Sequence, residues 1–288
     1  QGFFLNGEPL KLRGTNRHQD MAGFGSALSN EQHLRDLEII KAMGANFLRL
    51  AHYPQDPAVL EAADKLGLLV WEEAPVVNYI TPGEEFERNA RQMLREMIRQ
   101  HHNHPSVILW GTMNEVFLWS AEGARIGRQN DTTYMRQVRE FAAGMDRLAR
   151  EEDPTRYTAM AIHGSADYDI AGISPIPQVL GLNLYSGWYG GEFEGFGRTL
   201  DRRYEQNPEQ VLFVSEYGSG SDLRLNSTEP ERFDHSSTLR RGPAGGPRVR
   251  PSSTSPAAGG RTAPSSSVSA GRCGCRTTPP RPARDAST

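Results

Sequence analysis

The stretch "HPSVILWGTMNEV", residues 104–116, decides how this chain is read. Val107, Ile108, Leu109 and Trp110 form an unbroken apolar run, the pattern of a parallel strand covered on both faces. The run then ends in an amide and a carboxylate, Asn114 and Glu115. Packing alone has no use for either group at the end of a strand built for burial. In a barrel of parallel strands the carboxyl ends form the floor of the active site, and there Glu115 is placed for chemistry.

Working outward, short apolar runs recur at 10–14 (LKLRG), 46–51, 68–73 (LLVWEE), 156–162, 179–185 and 211–216, which with 106–111 makes seven candidate strands. Between them, "EQHLRDLEIIKAMG" (31–44) sets Leu34, Leu37, Ile40 and Met43 at helical spacing and stops at Gly44, as a helix C-terminus should. Helical patterns also fit 57–66, 84–102 and 132–151, the last closed by Pro154. Strand and helix alternating at this spacing mean parallel βαβ units. The expected fold is α/β, an incomplete (β/α)8 TIM barrel with seven strands visible and the eighth missing.

The 288 residues, 37% hydrophobic and 23% charged, suit a globular chain with room for one large core. A formal net charge of -3 gives no reason to expect nucleic acid. There is no apolar run of about 18 residues, so no membrane-spanning helix is indicated. The opening "QGFFLNGEPL" reads as the start of a fragment, so cytoplasmic and secreted locations both fit, and the oligomeric state is open. Composition changes after Leu239: the segment 239–288 has no aromatic residue, Ile, Met, Lys, Asn, Gln, Glu or His, and holds the only cysteines, Cys273 and Cys275. The chain therefore divides into a barrel domain, 1–238, and a Pro/Ser/Arg tail, 239–288. The tail reads as an out-of-frame stretch of a GC-rich gene, as a disordered tail, or as a basic arm; the first is preferred.

Two carboxylates stand out at strand ends, Glu115 after the fourth strand and Glu216 after the seventh. These strands face each other across an eight-stranded barrel. Glycosidic bond cleavage with retention needs such a pair about 5 to 5.5 Å apart, one protonated to help the leaving oxygen depart and one ionised to attack the anomeric carbon. Proximity pushes their pKa values apart. Asn114 is placed to bond a sugar hydroxyl, and Tyr185 and Tyr217 to orient the nucleophile. Trp188, between Gly187 and Gly190 in a loop, is the stacking candidate, whereas Trp71 and Trp110 lie inside apolar strands and read as core. Glu72 and Glu73 alternate, so only one of them points inward. "RQHHNHPS" (99–106) looks like a metal cluster but reads as a helix end followed by a Pro-fixed turn.

Taken in register, "GTNRHQD" (14–20), "RLAHYPQDPAVLEAADKLGLLVWEE" (49–73), "HNHPSVILWGTMNEV" (102–116), "NLYSGWYGG" (183–191) and "VSEYG" (214–218) resemble the catalytic barrel of glycoside hydrolase family 2, from about Phe3 to about His235. The resemblance implies a retaining glycoside hydrolase with Glu115 as acid/base and Glu216 as nucleophile. It also implies sugar-contacting roles for His18, Asp20, Arg49, His52, Asn114 and Tyr185. Blander roles stand beside these: His18 and His52 bonding neighbouring loops, Asp20 as a turn residue, Arg49 holding Glu216 ionised. Some β-galactosidases of the family hold Mg²⁺ through a Glu and a His after the third strand. Val77 and Tyr79 stand there in this chain, and hard cations want oxygen ligands, so neither metal nor other cofactor is expected. Among the family's carbohydrate substrates, β-galactosides are preferred on "VVNYIT" and "NLYSGWYGG", with β-glucuronides and then β-mannosides as alternatives; a barrel that binds sugar without turnover is the alternative of a different class.

Overall fold

A computed structural model describes residues 2–118 and 132–219. A short antiparallel hairpin, β1 (Phe4–Leu5) and β2 (Glu8–Pro9), precedes a run of alternating elements: β3 (Gly14–Arg17), α1 (Asn30–Ala42), β4 (Phe47–Leu50), α2 (Pro57–Leu66), β5 (Leu69–Glu73), α3 (Glu84–His101), β6 (Val107–Asn114), α4 (Thr132–Glu152), β7 (Tyr157–Ile162), α5 (Asp167–Ile170), β8 (Val179–Leu184), α6 (Gly195–Gln206) and β9 (Val211–Tyr217). β3 to β9 form one seven-stranded sheet in chain order, every pair parallel. Among the described residues β3 and β9 are its two edges. The sheet curls far enough that Phe47 of β4 and Phe213 of β9 meet with ring centroids 5.0 Å apart. This is a nearly closed TIM barrel, as expected; the boundary at 238 and the tail 239–288 lie outside the described residues.

Local chemistry starts and stops the helices as the sequence suggests. Ser29 caps α1 in a capping box, its Oγ accepting from the Gln32 backbone N–H while Gln32 Oε1 accepts from the Ser29 backbone N–H. α2 has Asp56 as its cap, Pro57 in its first turn and Gly67 at φ 65° after its last residue, where glycine alone is unstrained. The α1 face differs from expectation: Leu37 and Ile40 are buried with His33 and Asp36, while Leu34 is 40% and Met43 64% exposed. The ion pair of Arg17 to Asp36, with His33 Nδ1 2.9 Å from the same guanidinium, turns a polar edge of the helix inward. The first barrel strand is also displaced from 10–14 to Gly14–Arg17. Leu12 is not a ladder residue; it packs against the apolar cluster inside the barrel. Two further helices, α5 and α6, have no counterpart among the expected ones.

The core has two layers because parallel strands bury both faces. A large outer layer packs between sheet and helices, including Leu48, Val70, Trp110 and Met160. A smaller one fills the barrel interior: Phe47, Trp71, Leu109, Ala159, Ala161 and Val179. Both tryptophans are core, each with 0% exposure. Trp71 reaches across the interior so closely that a Cβ on Gly111 would stand 2.3 Å from its Nε1, and one on Gly181 2.6 Å from its ring. Two glycines, on β6 and on β8 with β7 between them, therefore make room for the plug on which the site rests.

Candidate active site

The site begins with Arg49, which sits on that plug with its guanidinium carbon 5.0 Å from the Trp71 ring centroid. Fully buried, it donates from Nε to Glu73 Oε1 (2.7 Å), from Nη1 to Glu216 Oε1 (2.7 Å) and from Nη2 to Asn114 Oδ1 (2.9 Å). One planar cation thus ties β4, β5, β6 and β9 together. The Arg49 guanidinium is charged: burial opposes this, but Glu73 and Glu216 hold its proton more tightly than usual. Glu73 is held below the usual carboxylate range, because Arg49 and His52 outweigh the burial that would raise it. Alternation along β5 sends Glu72 to the other face, where it bonds His101 Nδ1 at 2.7 Å. That contact, with His104 Nδ1 2.7 Å from Asp64, accounts structurally for two of the three clustered histidines.

Glu216 is gripped at both oxygens. Oε1 takes Arg49, with His52 Nε2 3.5 Å away, and Oε2 accepts from Tyr185 Oη at 2.8 Å. The Tyr185 hydroxyl keeps its proton, since burial first and then Glu216 push its pKa up. Tyr217 takes no part in this: it is 59% exposed and its ring packs near Phe196, as alternation along β9 requires.

Glu115 stands on a backbone at φ 50°, a conformation that costs a non-glycine residue about 1–2 kcal/mol, and its N–H donates to Ala161 O at 2.9 Å. Its Oε1 accepts from Asn183 Nδ2 at 2.9 Å, and Asn183 Oδ1 in turn accepts from Ser215 Oγ at 2.7 Å. The Glu115 carboxyl is pushed up to about 7, first by burial and then by the Glu216 charge, against the opposing effect of the Asn183 amide. The two carboxylates therefore occupy opposite electrostatic settings: Glu216 faces a cation and a hydroxyl, Glu115 an amide. Asn114 Nδ2 is buried without a hydrogen-bond partner, a donor that a substrate hydroxyl would satisfy.

The remaining expected residues are at the rim or beside the center. His18 lies 5.2 Å from His52, ring to ring, with its pKa lowered by burial and by His52; Asp20 is exposed in the loop after β3. Trp188 is buried, at 5% exposure. Val77 pairs with Asn114 as an isolated bridge and Tyr79 stacks on Tyr134 at 5.2 Å. No group of three metal-binding side chains stands together among the described residues, and none of their helices is long and apolar enough to cross a membrane. Asn183 and Ser215 were missed by sequence reasoning. Each precedes a noted residue closely, Tyr185 and Glu216, and an inward-facing amide two positions before Tyr185 was the available signal.

Fold and site together define a TIM-type α/β barrel with a paired-carboxylate site at the carboxyl ends of its strands. The chain belongs to the glycosyl hydrolases family 2: the model of that family's TIM barrel domain matches residues 1–224. It is 37% identical over 230 residues to a β-glucuronidase of Bacteroides fragilis, covering 77% of this chain and 30% of that protein. To a β-galactosidase of Thermoanaerobacterium thermosulfurigenes it is 42% identical over 158 residues, 54% of this chain and 19% of that one. Among solved structures it superposes on Bacteroides uniformis β-glucuronidase 2, covalently bound to cyclophellitol-6-carboxylate aziridine, with TM-score 0.77 and 45% identity over 83% of this chain and 29% of that chain. The chain thus spans less than a third of the length of each of these relatives.

Proposed function

We propose that this chain is the catalytic barrel of a retaining β-glycosidase, with Glu216 as nucleophile and Glu115 as acid/base. The observation that carries the reading is the contrast between a carboxylate clamped by Arg49 and Tyr185 and a second one held near neutrality across the same floor. In the first step Glu216 attacks the anomeric carbon while Glu115 passes its proton to the glycosidic oxygen, which leaves as an alcohol. In the second, ionised Glu115 takes a proton from water, whose oxygen attacks the anomeric carbon and releases Glu216. Asn114, His18, Asp20, His52 and Tyr185 are the proposed sugar contacts. The burial of Trp188 argues against its serving as an open stacking platform.

For the sugar we take β-glucuronides first. The support is the Bacteroides fragilis relative and the Bacteroides uniformis enzyme, whose covalent partner carries a carboxylate at the position of a uronic acid. A β-galactoside is the second reading, favoured by the Thermoanaerobacterium thermosulfurigenes relative and by the loops "VVNYIT" and "NLYSGWYGG". The test is turnover of 4-nitrophenyl β-glucuronide and β-galactoside by the full chain, with Glu216→Ala and Glu115→Ala as controls. One chromogen is expected to turn over, each variant losing about 10³-fold or more. Equal rates in parent and variants would overturn the assignment, and binding of the free sugar with no turnover would favour a carbohydrate-binding barrel.

A further inference from the structure

We infer that Ser215, acting through Asn183, is a positioning residue that decides which oxygen of Glu115 carries the catalytic proton. The inference rests on the acid/base role proposed above for Glu115. An Asn side chain has a donor end and an acceptor end, and its orientation follows from its neighbours. The Ser215 hydroxyl donates to Asn183 Oδ1 at 2.7 Å, which turns the NH₂ end toward Glu115 Oε1 (2.9 Å) and Asn114 Oδ1 (3.2 Å). All four residues are less than a tenth exposed, so water does not readily replace any of these bonds.

The consequence is chemical. An oxygen that accepts an N–H is a poor site for a proton, so a protonated Glu115 carries its hydrogen on Oε2. If the Asn183 amide flips, Oδ1 faces Glu115, and the proton is drawn to Oε1 as a donor to the amide, away from the leaving oxygen. Ser215 opposes the flip as the donor to Asn183 Oδ1 at 2.7 Å, a shorter bond than the 3.2 Å one by which Asn114 Oδ1, held by Arg49, engages the amide's other end. The same arrangement favours ionised Glu115, which the second step needs. Other groups acting on Glu115 are Glu216 from β9, Arg49 on β4, His52 just beyond it, Tyr168 from α5 and Tyr185 after β8; none of them touches Asn183 Oδ1.

The experiment compares Ser215→Ala and Ser215→Thr with the full parent chain. With the donor gone, the ionised form of Glu115 loses a charge-assisted bond. The basic limb of the kcat/KM profile should then move up by about one pH unit. An alkyl glycoside, which needs the proton at departure, should slow about tenfold more than a 4-nitrophenyl glycoside, which does not. Ser215→Thr keeps the hydroxyl and should restore both. A basic limb that stays in place, with both substrates slowed equally, overturns the inference. Carbon-13 NMR titration of labelled glutamate side chains, with Glu115→Gln to assign the signal, reads the same shift without turnover. A parent that titrates as described but hydrolyses neither chromogen would therefore sink the proposed function and not the positioning role. If Ser215→Ala does not fold, Ser215→Cys, whose thiol is a weak donor, carries the same comparison.

Discussion

Glu115 is a carboxyl whose native pKa is raised from 4.5 to about 7 by burial and by Glu216. Between those values the native state binds more protons than the unfolded chain, so stability falls as pH rises through that window. At 9% exposure the cost is little screened and amounts to about 3 kcal/mol once pH exceeds 7. Glu115→Gln removes the titration, so its stability relative to the parent should climb from pH 4.5 to pH 7 and then level. Urea unfolding midpoints at pH 4.5, 6 and 8 measure this, and a difference independent of pH would contradict the account. The same residue shows the limit of local reading. Its position after a doubly buried strand is visible in the chain, but the amide that holds its Oε1 comes from residue 183, a partner no local pattern specifies.

At the scale of the element, β6 works because Gly111 leaves space. An added Cβ would meet Trp71 Nε1 at 2.3 Å and Glu73 Cγ at 2.6 Å, distances that force one of them to move. Gly111→Ala should therefore destabilise by about 1–3 kcal/mol and lower activity, since Glu73 is the carboxylate that seats Arg49. Gly164→Ala, with nothing within 4 Å of its added Cβ, is the control expected to change neither. Thermal unfolding and turnover of the two variants make the comparison. Strand and helix periods were legible here, and the expected spans of α2, α3 and α4 match closely. The inward face of α1 was not, because Arg17, on a strand 19 residues from Asp36 in the chain, draws the helix's polar edge inward.

At the scale of the molecule, Arg49 joins strands that the sequence keeps far apart, β4 to β9 across 167 residues. Replacing it by Met would leave Glu73 and Glu216 buried without its guanidinium and with only His52 beside both, a loss of about 3–5 kcal/mol. Neutralising one orphan, as in Arg49→Met with Glu73→Gln, should recover part of that loss. Urea midpoints of the parent, single and double variants test this; a double variant no more stable than Arg49→Met would mean that Arg49 acts by packing on Trp71 alone.

The amino-acid sequence by itself determined the parallel barrel and singled out the two carboxylates proposed to react. Burial on both faces leaves an apolar run in the chain, and a carboxylate at the end of such a run has no packing explanation. It also placed Arg49, Asn114 and Tyr185 at strand ends, where the structure finds them in one network. Only the tertiary structure decided which groups speak to which. Asn183 with Glu115, Ser215 with Asn183 and Arg49 with four strands are contacts between residues remote in sequence, and their distances and orientations exist only once the sheet has curled.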